Sequence, residues 1–91
     1  MSGHSSFRRA AAAAEHIRIG ESLLARGWAA LESARAEAVE IHLRSGPVLR
    51  HVLELRIDGP VAEAATRPGF WTHAFAVEEV ILVRQIPRGG G

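Results

Sequence analysis

The residues best suited to ligand chemistry stand together at Trp71, Thr72 and His73. The flat face of a tryptophan can stack on a nucleic-acid base, a contact worth about 1–3 kcal/mol. A histidine N–H can donate to a phosphate oxygen or to a base edge. These three residues are therefore predicted to form a binding site for single-stranded RNA. The alternative is that Trp71 and His73 pack an inner face of the fold beside Phe75.

The basic residues suggest a second set of RNA contacts. All 11 Lys or Arg residues are arginine, whose guanidinium can bind two phosphate oxygens at once. Arg44 and Arg50 are predicted to touch the RNA backbone. The whole candidate patch comprises Arg44, Arg50, Arg56, Arg84 and Arg88. Acidic residues are interleaved with this patch, namely Glu40, Glu54 and Asp58. The alternative is therefore a solvated face of cross-strand ion pairs. The net charge is only +1, so nucleic-acid binding would need a local patch.

The spacing of the other reactive residues predicts neither a metal site nor catalysis. The chain has no cysteine, which excludes disulfides, thiolate ligands and cysteine nucleophiles. His42 and His51 lie on adjacent predicted strands, but the expected pairing puts them on opposite faces. The sequence also lacks a glycine-rich phosphate loop and a supported Ser/His/Asp set. We therefore expect no metal, no cofactor and no enzymatic activity.

A long amphipathic helix is predicted from about Phe7 to Arg35. Its apolar residues fall within about 120° of one another at helical spacing. This apolar stripe consists of Phe7, Ala10, Ala14, Ile17, Leu24, Trp28 and Leu31. Gly20 and Gly27 interrupt the helix, each at a cost of about 1 kcal/mol relative to alanine. The sequence therefore allows one continuous helix or a helix broken at Arg26–Gly27.

The apolar period changes from 3.6 to 2 after the helix, which predicts strands. Val39, Ile41 and Leu43 share one face, and Ser45-Gly46-Pro47 forms a turn. The second strand carries Leu49, His51, Leu53, Leu55 and Ile57 on one face. Matching the apolar faces requires a three-residue loop or a bulge. Ile41 is then expected opposite His51, and Val39 opposite Leu53.

Three more strands are predicted in the remaining chain: Val61 to Ala65, Phe70 to Val77 and Val80 to Ile86. Their turns are Asp58-Gly59-Pro60, Thr66-Arg67-Pro68-Gly69 and Glu78-Glu79. Trp71, His73, Phe75 and Val77 are expected on one face. The start of the last strand is apolar on both faces, as in a strand buried between layers or at a subunit contact.

Together these elements predict an α+β, mainly β, single domain: an N-terminal helix followed by a five-stranded barrel. The expected divisions are a disordered lead at 1–5, a helical region at 6–36, the barrel at 37–87 and a flexible tail at 88–91. Short turns and a weak third strand favour closure into a barrel. An open sheet with the helix across one face, in a dimer, is the alternative. No apolar run has the roughly 20 residues of a membrane helix, and a reducing cytoplasm is the expected compartment.

This order of elements resembles the Sm-like fold, a small SH3-like barrel, and within it the bacterial Hfq-type proteins. The resemblance rests on Leu31 to Leu49, with the end of the helix, strand one and the glycine turn. It rests also on Phe70 to Val83, where an aromatic residue, His73 and Ala74 precede the final strand. The resemblance implies a ring in which strand four of one subunit pairs with strand five of the next. His51 stands near where Sm proteins usually have a glycine that bends strand two.

Two functions are therefore expected as alternatives. The first, implied by the resemblance, is a homo-oligomeric ring that binds single-stranded RNA. The second is a non-catalytic protein-interaction or regulatory module, of the kind found among phage accessory proteins, which uses the helix and the barrel surface. The candidate contacts to another copy or a partner are Phe7, Ile17, Leu24, Trp28, Val80 and Leu82.

Overall fold

The structure is a computed structural model that describes the backbone of residues 3–89 and the side chains of residues 11–89. Helix α1 runs from Gly3 to Glu32 without interruption. Of the two sequence expectations, the continuous helix is confirmed, and a break at Gly27 is wrong. The helix begins four residues before the expected start at Phe7 and ends before Arg35. Residues 3–5 of the expected disordered lead are thus part of α1.

The two helix glycines face the protein instead of breaking the helix. A Cβ atom on Gly20 would collide with the backbone carbonyl of Val77, and one on Gly27 would come within 2.9 Å of Val83 Cγ1. Both glycines are buried. Glycine at these positions lets α1 lie close against Val77 and Val83. That close packing offsets the helix cost of about 1 kcal/mol for each glycine.

The chain adopts the left-handed conformation two residues after the end of α1. Ala34 has φ 59°, and its N–H donates to the Leu31 carbonyl at 3.2 Å. The hydroxyl of Ser33 donates to the Ala29 carbonyl at 2.8 Å. These bonds satisfy carbonyls in the last turn that have no partner within the helix. The chain then turns directly into the first strand.

Six strands follow: β1 (Ala36–Leu43), β2 (Val48–Val52), β3 (Glu54–Asp58), β4 (Val61–Ala65), β5 (His73–Ala76) and β6 (Val80–Pro87). They form two antiparallel three-stranded sheets with the orders β2-β1-β6 and β3-β4-β5. The α+β, mainly β class is confirmed. The expected count of five strands in one closed barrel is wrong, because the predicted second strand is divided between the two sheets.

The division occurs at a bend around His51 and Leu53. His51 has φ 58°, and Leu53 alone separates β2 from β3. Ile41 pairs with Leu49 and Val39 with Val52, with a register irregularity between them. The expected partners, His51 and Leu53, are therefore wrong. The bulge required by the sequence is present, but it lies in β2, so that Val52 turns inward and His51 is exposed.

The second sheet is shorter than the sequence suggests. Gly59 and Pro60 connect β3 to β4 with Asp58 opposite Val61, as the predicted turn requires. The expected strand from Phe70 to Val77 is only four residues long, since β5 begins at His73. A single 3-10 turn, Val77–Glu79, then leads into β6.

The core lies between the two sheets and the C-terminal half of α1. Its buried members are Leu24, Val39, Ile41, Val52, Leu55, Ala62, Ala64, Val77 and Val80. The two core residues from β4 are the alanines Ala62 and Ala64, and their small side chains permit close packing of the second sheet against the rest of the core. Among the described residues, α1 included, no helix combines the length and apolarity that crossing a membrane requires.

Candidate nucleic-acid interface

Trp71 lies just before β5, with one face covered by an arginine. The Arg56 guanidinium carbon is 4.2 Å from the centroid of the Trp71 ring, a cation–π distance. Arg56 Nε also donates to Glu63 Oε1 at 2.9 Å, and the two residues are direct partners in β3 and β4. This hydrogen bond is the main reason that the pKa of Arg56 is raised. Arg56 is thus held over Trp71 by its hydrogen bond to the neighbouring strand.

Phe70, beside Trp71, is the aromatic residue that the sequence reasoning missed. It is 61% exposed, the largest value among the exposed large apolar residues that the structure describes. It ends the Thr66-Arg67-Pro68-Gly69 turn and forms an isolated bridge with Arg67. Its N–H donates to the Arg67 carbonyl at 3.1 Å. The sequence signal was available, because an aromatic residue directly after a tight turn has no strand neighbour to cover it.

The turn that carries Phe70 is fixed to the second sheet. The Gly69 N–H donates to Glu54 Oε1 at 2.6 Å, and Gly69 has φ 79°, a conformation that favours glycine. Thr72 is exposed, and its N–H donates to the Phe70 carbonyl at 3.0 Å. We call Phe70, Trp71 and Arg56 the aromatic corner. It presents the exposed ring of Phe70 and the Arg56 guanidinium over the Trp71 ring.

His73 opens β5 opposite Ala64. Trp71, His73 and Phe75 are all half-buried, and Phe75 packs against the core. Trp71 and His73 are not among the residues that pack against the core, and their role in RNA binding stays a prediction. Each side chain has a covered part and a part that remains accessible.

The two predicted backbone-binding arginines lie in the other sheet. Arg44 is exposed after β1, and its N–H donates to the Glu79 carbonyl at 2.6 Å. Arg50, on β2, donates from Nη1 to Glu40 Oε2 at 3.1 Å while most of its side chain stays exposed. The described contacts thus tie Arg50 to Glu40 of β1 and Arg44 to backbone carbonyls of the 3-10 turn Val77–Glu79. They do not join the aromatic corner through any hydrogen bond or ion pair of the described residues.

Glu40 is the centre of a polar cluster on β1. It is only 8% exposed, and Oε1 lies 2.8 Å from His42 Nε2. Arg50 contacts its other oxygen, and Arg84 is its direct partner in β6. The hydrogen bond to His42 is the main cause of the lowered pKa of Glu40, aided by the charges of Arg50 and Arg84 and opposed by burial. This pattern fits the expected cross-strand ion pairs better than an open phosphate site.

The described side chains contain no cluster of metal-binding residues. Among the described side chains, no three His, Asp or Glu residues lie together in a way that could hold an ion. His42 is engaged by Glu40, and His51 is exposed at the bulge.

The predicted contact residues divide into three groups. Leu24 and Val80 are completely buried within the single chain, so neither offers exposed surface to a partner, and Ile17 is half-buried against the core. Trp28 and Leu82 are 43% and 46% exposed, which fits surface contacts. The side chain of Phe7 lies outside the described residues.

Each sheet of the described chain has two edge strands, β2 and β6 in the first and β3 and β5 in the second. Among the described residues, β5 pairs with β4 alone and β6 with β1 alone, and Ile81 and Leu82 on β6 are about half exposed. A groove of about 330 Å³ runs between α1 and β3. It is lined by Leu24, Ala25, Trp28, Leu55, Arg56 and Ile57, and we call it the α1 groove.

Comparison of the chain with protein-family models, with curated proteins and with solved structures returned no match. The Sm-like resemblance is therefore untested by these comparisons.

Proposed function

We propose that this protein is a small, non-catalytic, Sm-like protein that assembles into a homo-oligomeric ring and binds single-stranded RNA. The observation that carries RNA binding is the aromatic corner. Phe70 offers an exposed ring, and Arg56 lies 4.2 Å over Trp71. Rings and guanidinium groups of this kind stack on bases without regard to their sequence.

Ring assembly is supported by the open edges of β5 and β6. Proteins usually cover or pair such edges, because free N–H and C=O groups invite another strand. Pairing of β5 in one copy with β6 of the next, as the resemblance implies, would satisfy both edges and cover Leu82. The assembled copies would present several aromatic corners to one RNA strand. Such multivalency raises the apparent affinity without a large net charge.

The division of β2 from β3 is compatible with this architecture. The resemblance implies a sharp bend in strand two, and a bend between β2 and β3 supports the proposal. His51 adopts a left-handed φ near the position where the family usually has glycine. The proposal places the protein in the cytoplasm and requires no cofactor.

The test is fluorescence anisotropy with labelled oligo-A and oligo-U. Phe70→Ala and Trp71→Ala are each expected to weaken binding by about tenfold, since one stacked base contributes about 1–3 kcal/mol. Phe70→Trp should retain affinity, because it keeps an aromatic face. Arg56→Ala should also weaken binding, because it removes the guanidinium over Trp71. Arg26→Ala is its matched control, since Arg26 is exposed on α1 outside the corner.

Binding should also fall steeply as salt rises, because phosphate contacts release counterions. Equal affinity of wild type, Phe70→Ala and Trp71→Ala for both oligonucleotides would refute the site. An absence of binding even at low salt would refute the function.

A second candidate function is a protein-interaction module without RNA. The α1 groove favours it, since an open apolar groove beside a half-exposed tryptophan is typical of a protein contact. A discrete assembly that carries no RNA at low salt would favour this function over the first.

A further inference from the structure

The α1 groove is lined mainly by apolar side chains. Its only charged lining residue is Arg56, and the guanidinium of Arg56 already has partners elsewhere. It donates to Glu63 Oε1 at 2.9 Å and lies over the Trp71 ring. The groove volume of about 330 Å³ falls within the range of about 300–1,000 Å³ that binding sites for small groups span. The groove therefore suits an apolar side chain.

A smaller cleft beside the α1 groove is acidic. It is lined by Trp28, Leu31, Glu32, Leu53 and Glu54, and we call it the acidic cleft. Trp28 lines both spaces, so the groove and the cleft meet at this residue. Residues four apart on a helix lie on one face, which places Glu32 one turn, about 6 Å, beyond Trp28. An apolar space and an acidic space are thus neighbours on one surface.

The two carboxylates of the acidic cleft are accessible to a cation. Glu32 is exposed, and Glu54 is half-buried. Glu54 Oε1 accepts the Gly69 N–H at 2.6 Å, which helps to hold that side chain in place. Among the described side chains, neither glutamate forms an ion pair. A guanidinium in the cleft can lie on the Trp28 ring and donate to a carboxylate, whereas a phosphate would be repelled.

We propose that the α1 groove and the acidic cleft together bind an extended segment of a partner protein. An apolar side chain of that segment enters the groove, and an arginine two positions away enters the cleft. Such residues point to one side of an extended chain and lie about 7 Å apart, which matches the step of about 6 Å from Trp28 to Glu32.

Charge complementarity and strand pairing identify this occupant. The acidic cleft selects a basic segment and opposes RNA. Arg84 and Ile86 of this chain have the required spacing, but both already pair with β1, so a second copy does not present them as an unpaired segment. The inference rests on the second candidate function above, for which it names the chemistry of the partner.

An NMR titration with synthetic peptides tests the contact. The probe is acetyl-Ser-Arg-Ser-Leu-Ser-Arg-Ser-amide, which carries an arginine two positions from leucine in either chain direction. It should shift the indole N–H signal of Trp28, which Trp71→Phe distinguishes from the other tryptophan of the chain. A matched peptide with citrulline for arginine keeps the shape and loses the charge. It should bind about tenfold more weakly.

Two protein variants test the cleft and the groove separately. Glu32→Gln should raise the dissociation constant of the arginine peptide by about threefold, and Glu15→Gln, at another exposed site of α1, should leave it unchanged. Ala25→Phe fills the groove from an exposed position and should exclude the leucine. Ala12→Phe is its control, because Ala12 is also exposed and lies outside the groove. Melting temperatures show that each variant is folded.

Equal binding of the arginine and citrulline peptides, or binding that neither Glu32→Gln nor Ala25→Phe weakens, would overturn the proposal. It would also be overturned if the Trp28 signal moved on dilution of the protein alone, since a second copy would then cover the groove. A Trp28 signal that responds to oligo-U and not to the peptide would assign the groove to RNA.

The same titration with oligo-U separates this proposal from the first proposed function. Peptide binding by a chain that does not bind oligo-U would refute only RNA binding. Oligo-U binding at Phe70 without any peptide shift at Trp28 would refute only the peptide contact.

Discussion

A methyl group on Gly27 would come within 2.9 Å of Val83 Cγ1, and this relationship explains why the helix is not broken there. Glycine usually weakens a helix because its backbone loses more freedom on folding. At Gly27 the missing side chain instead makes room for the final strand. The same holds more strictly at Gly20, where the obstacle is the backbone carbonyl of Val77.

Gly20→Ala is expected to destabilise the protein even though alanine is the better helix former. Alanine would gain about 1 kcal/mol in helix propensity, but overpacking against a backbone carbonyl costs about 1–3 kcal/mol. A carbonyl in a 3-10 turn cannot move aside as a side chain can. The measurement is the free energy of unfolding in urea.

Ala12→Gly is the matched control, since Ala12 is exposed on the same helix. It should cost about 1 kcal/mol through propensity alone. A Gly20→Ala chain more stable than wild type would show that α1 does not lie against Val77 as described.

His51→Gly is expected to stabilise the protein by about 0.5–1 kcal/mol. His51 has φ 58°, and a side chain in this region costs about 1–2 kcal/mol that glycine avoids. Part of the gain is lost because glycine makes the unfolded chain more flexible. His51→Ala keeps the backbone strain and should bring no gain. Thermal melts of the two variants compare these effects directly.

The fold class and most turns could be predicted because they depend on local patterns. The change from a 3.6 to a 2 period marks the end of α1, and Gly59-Pro60 marks a hairpin. The partner of Ile41 could not be read from that pattern, since it depends on which residue absorbs the bulge. The alternation of Leu49 with His51 suggested an unbroken strand, but His51 takes up the bend, and the face of the strand changes at Val52.

The candidate site was predicted in part for a similar reason. The aromatic and histidine residues at 71–73 were found from their types, whereas the cover on Trp71 comes from Arg56, distant in sequence. Long-range pairing of β3 with β4 places that guanidinium, and no local pattern reports it. Phe70 was overlooked because the strand was expected to begin there and cover it.

Glu40→Gln is expected to lower the free energy of unfolding at neutral pH. It should also make that free energy less dependent on pH in the acidic range. The pKa of Glu40 is lowered from 4.5, mainly by its bond to His42. A carboxylate with a lowered pKa stabilises the folded chain above pH 4.5, and this contribution disappears as the pH falls through the folded-state value. The difference in unfolding free energy between wild type and Glu40→Gln should therefore shrink as the pH falls below 4.5.

The comparison requires unfolding curves of both chains at several acidic pH values. Glu37→Gln serves as the control, because Glu37 is an exposed residue of the same strand. A gap between wild type and Glu40→Gln that stays constant on acidification would mean that the ion pairs around Glu40 do not stabilise the fold.

Leu82→Glu is expected to disrupt assembly while leaving the single chain folded. Leu82 lies on β6, an open edge of its sheet, and is 46% exposed. If β6 pairs with β5 of a neighbouring copy, a buried glutamate at this contact would lack a partner, and burying an unpaired charge is costly. Val61→Glu is the matched control, since Val61 is 44% exposed but lies on β4, the central strand of its sheet. Light scattering should show a smaller species for Leu82→Glu than for Val61→Glu, with similar melting temperatures. Equal masses for the two variants would exclude β6 from the contact between copies.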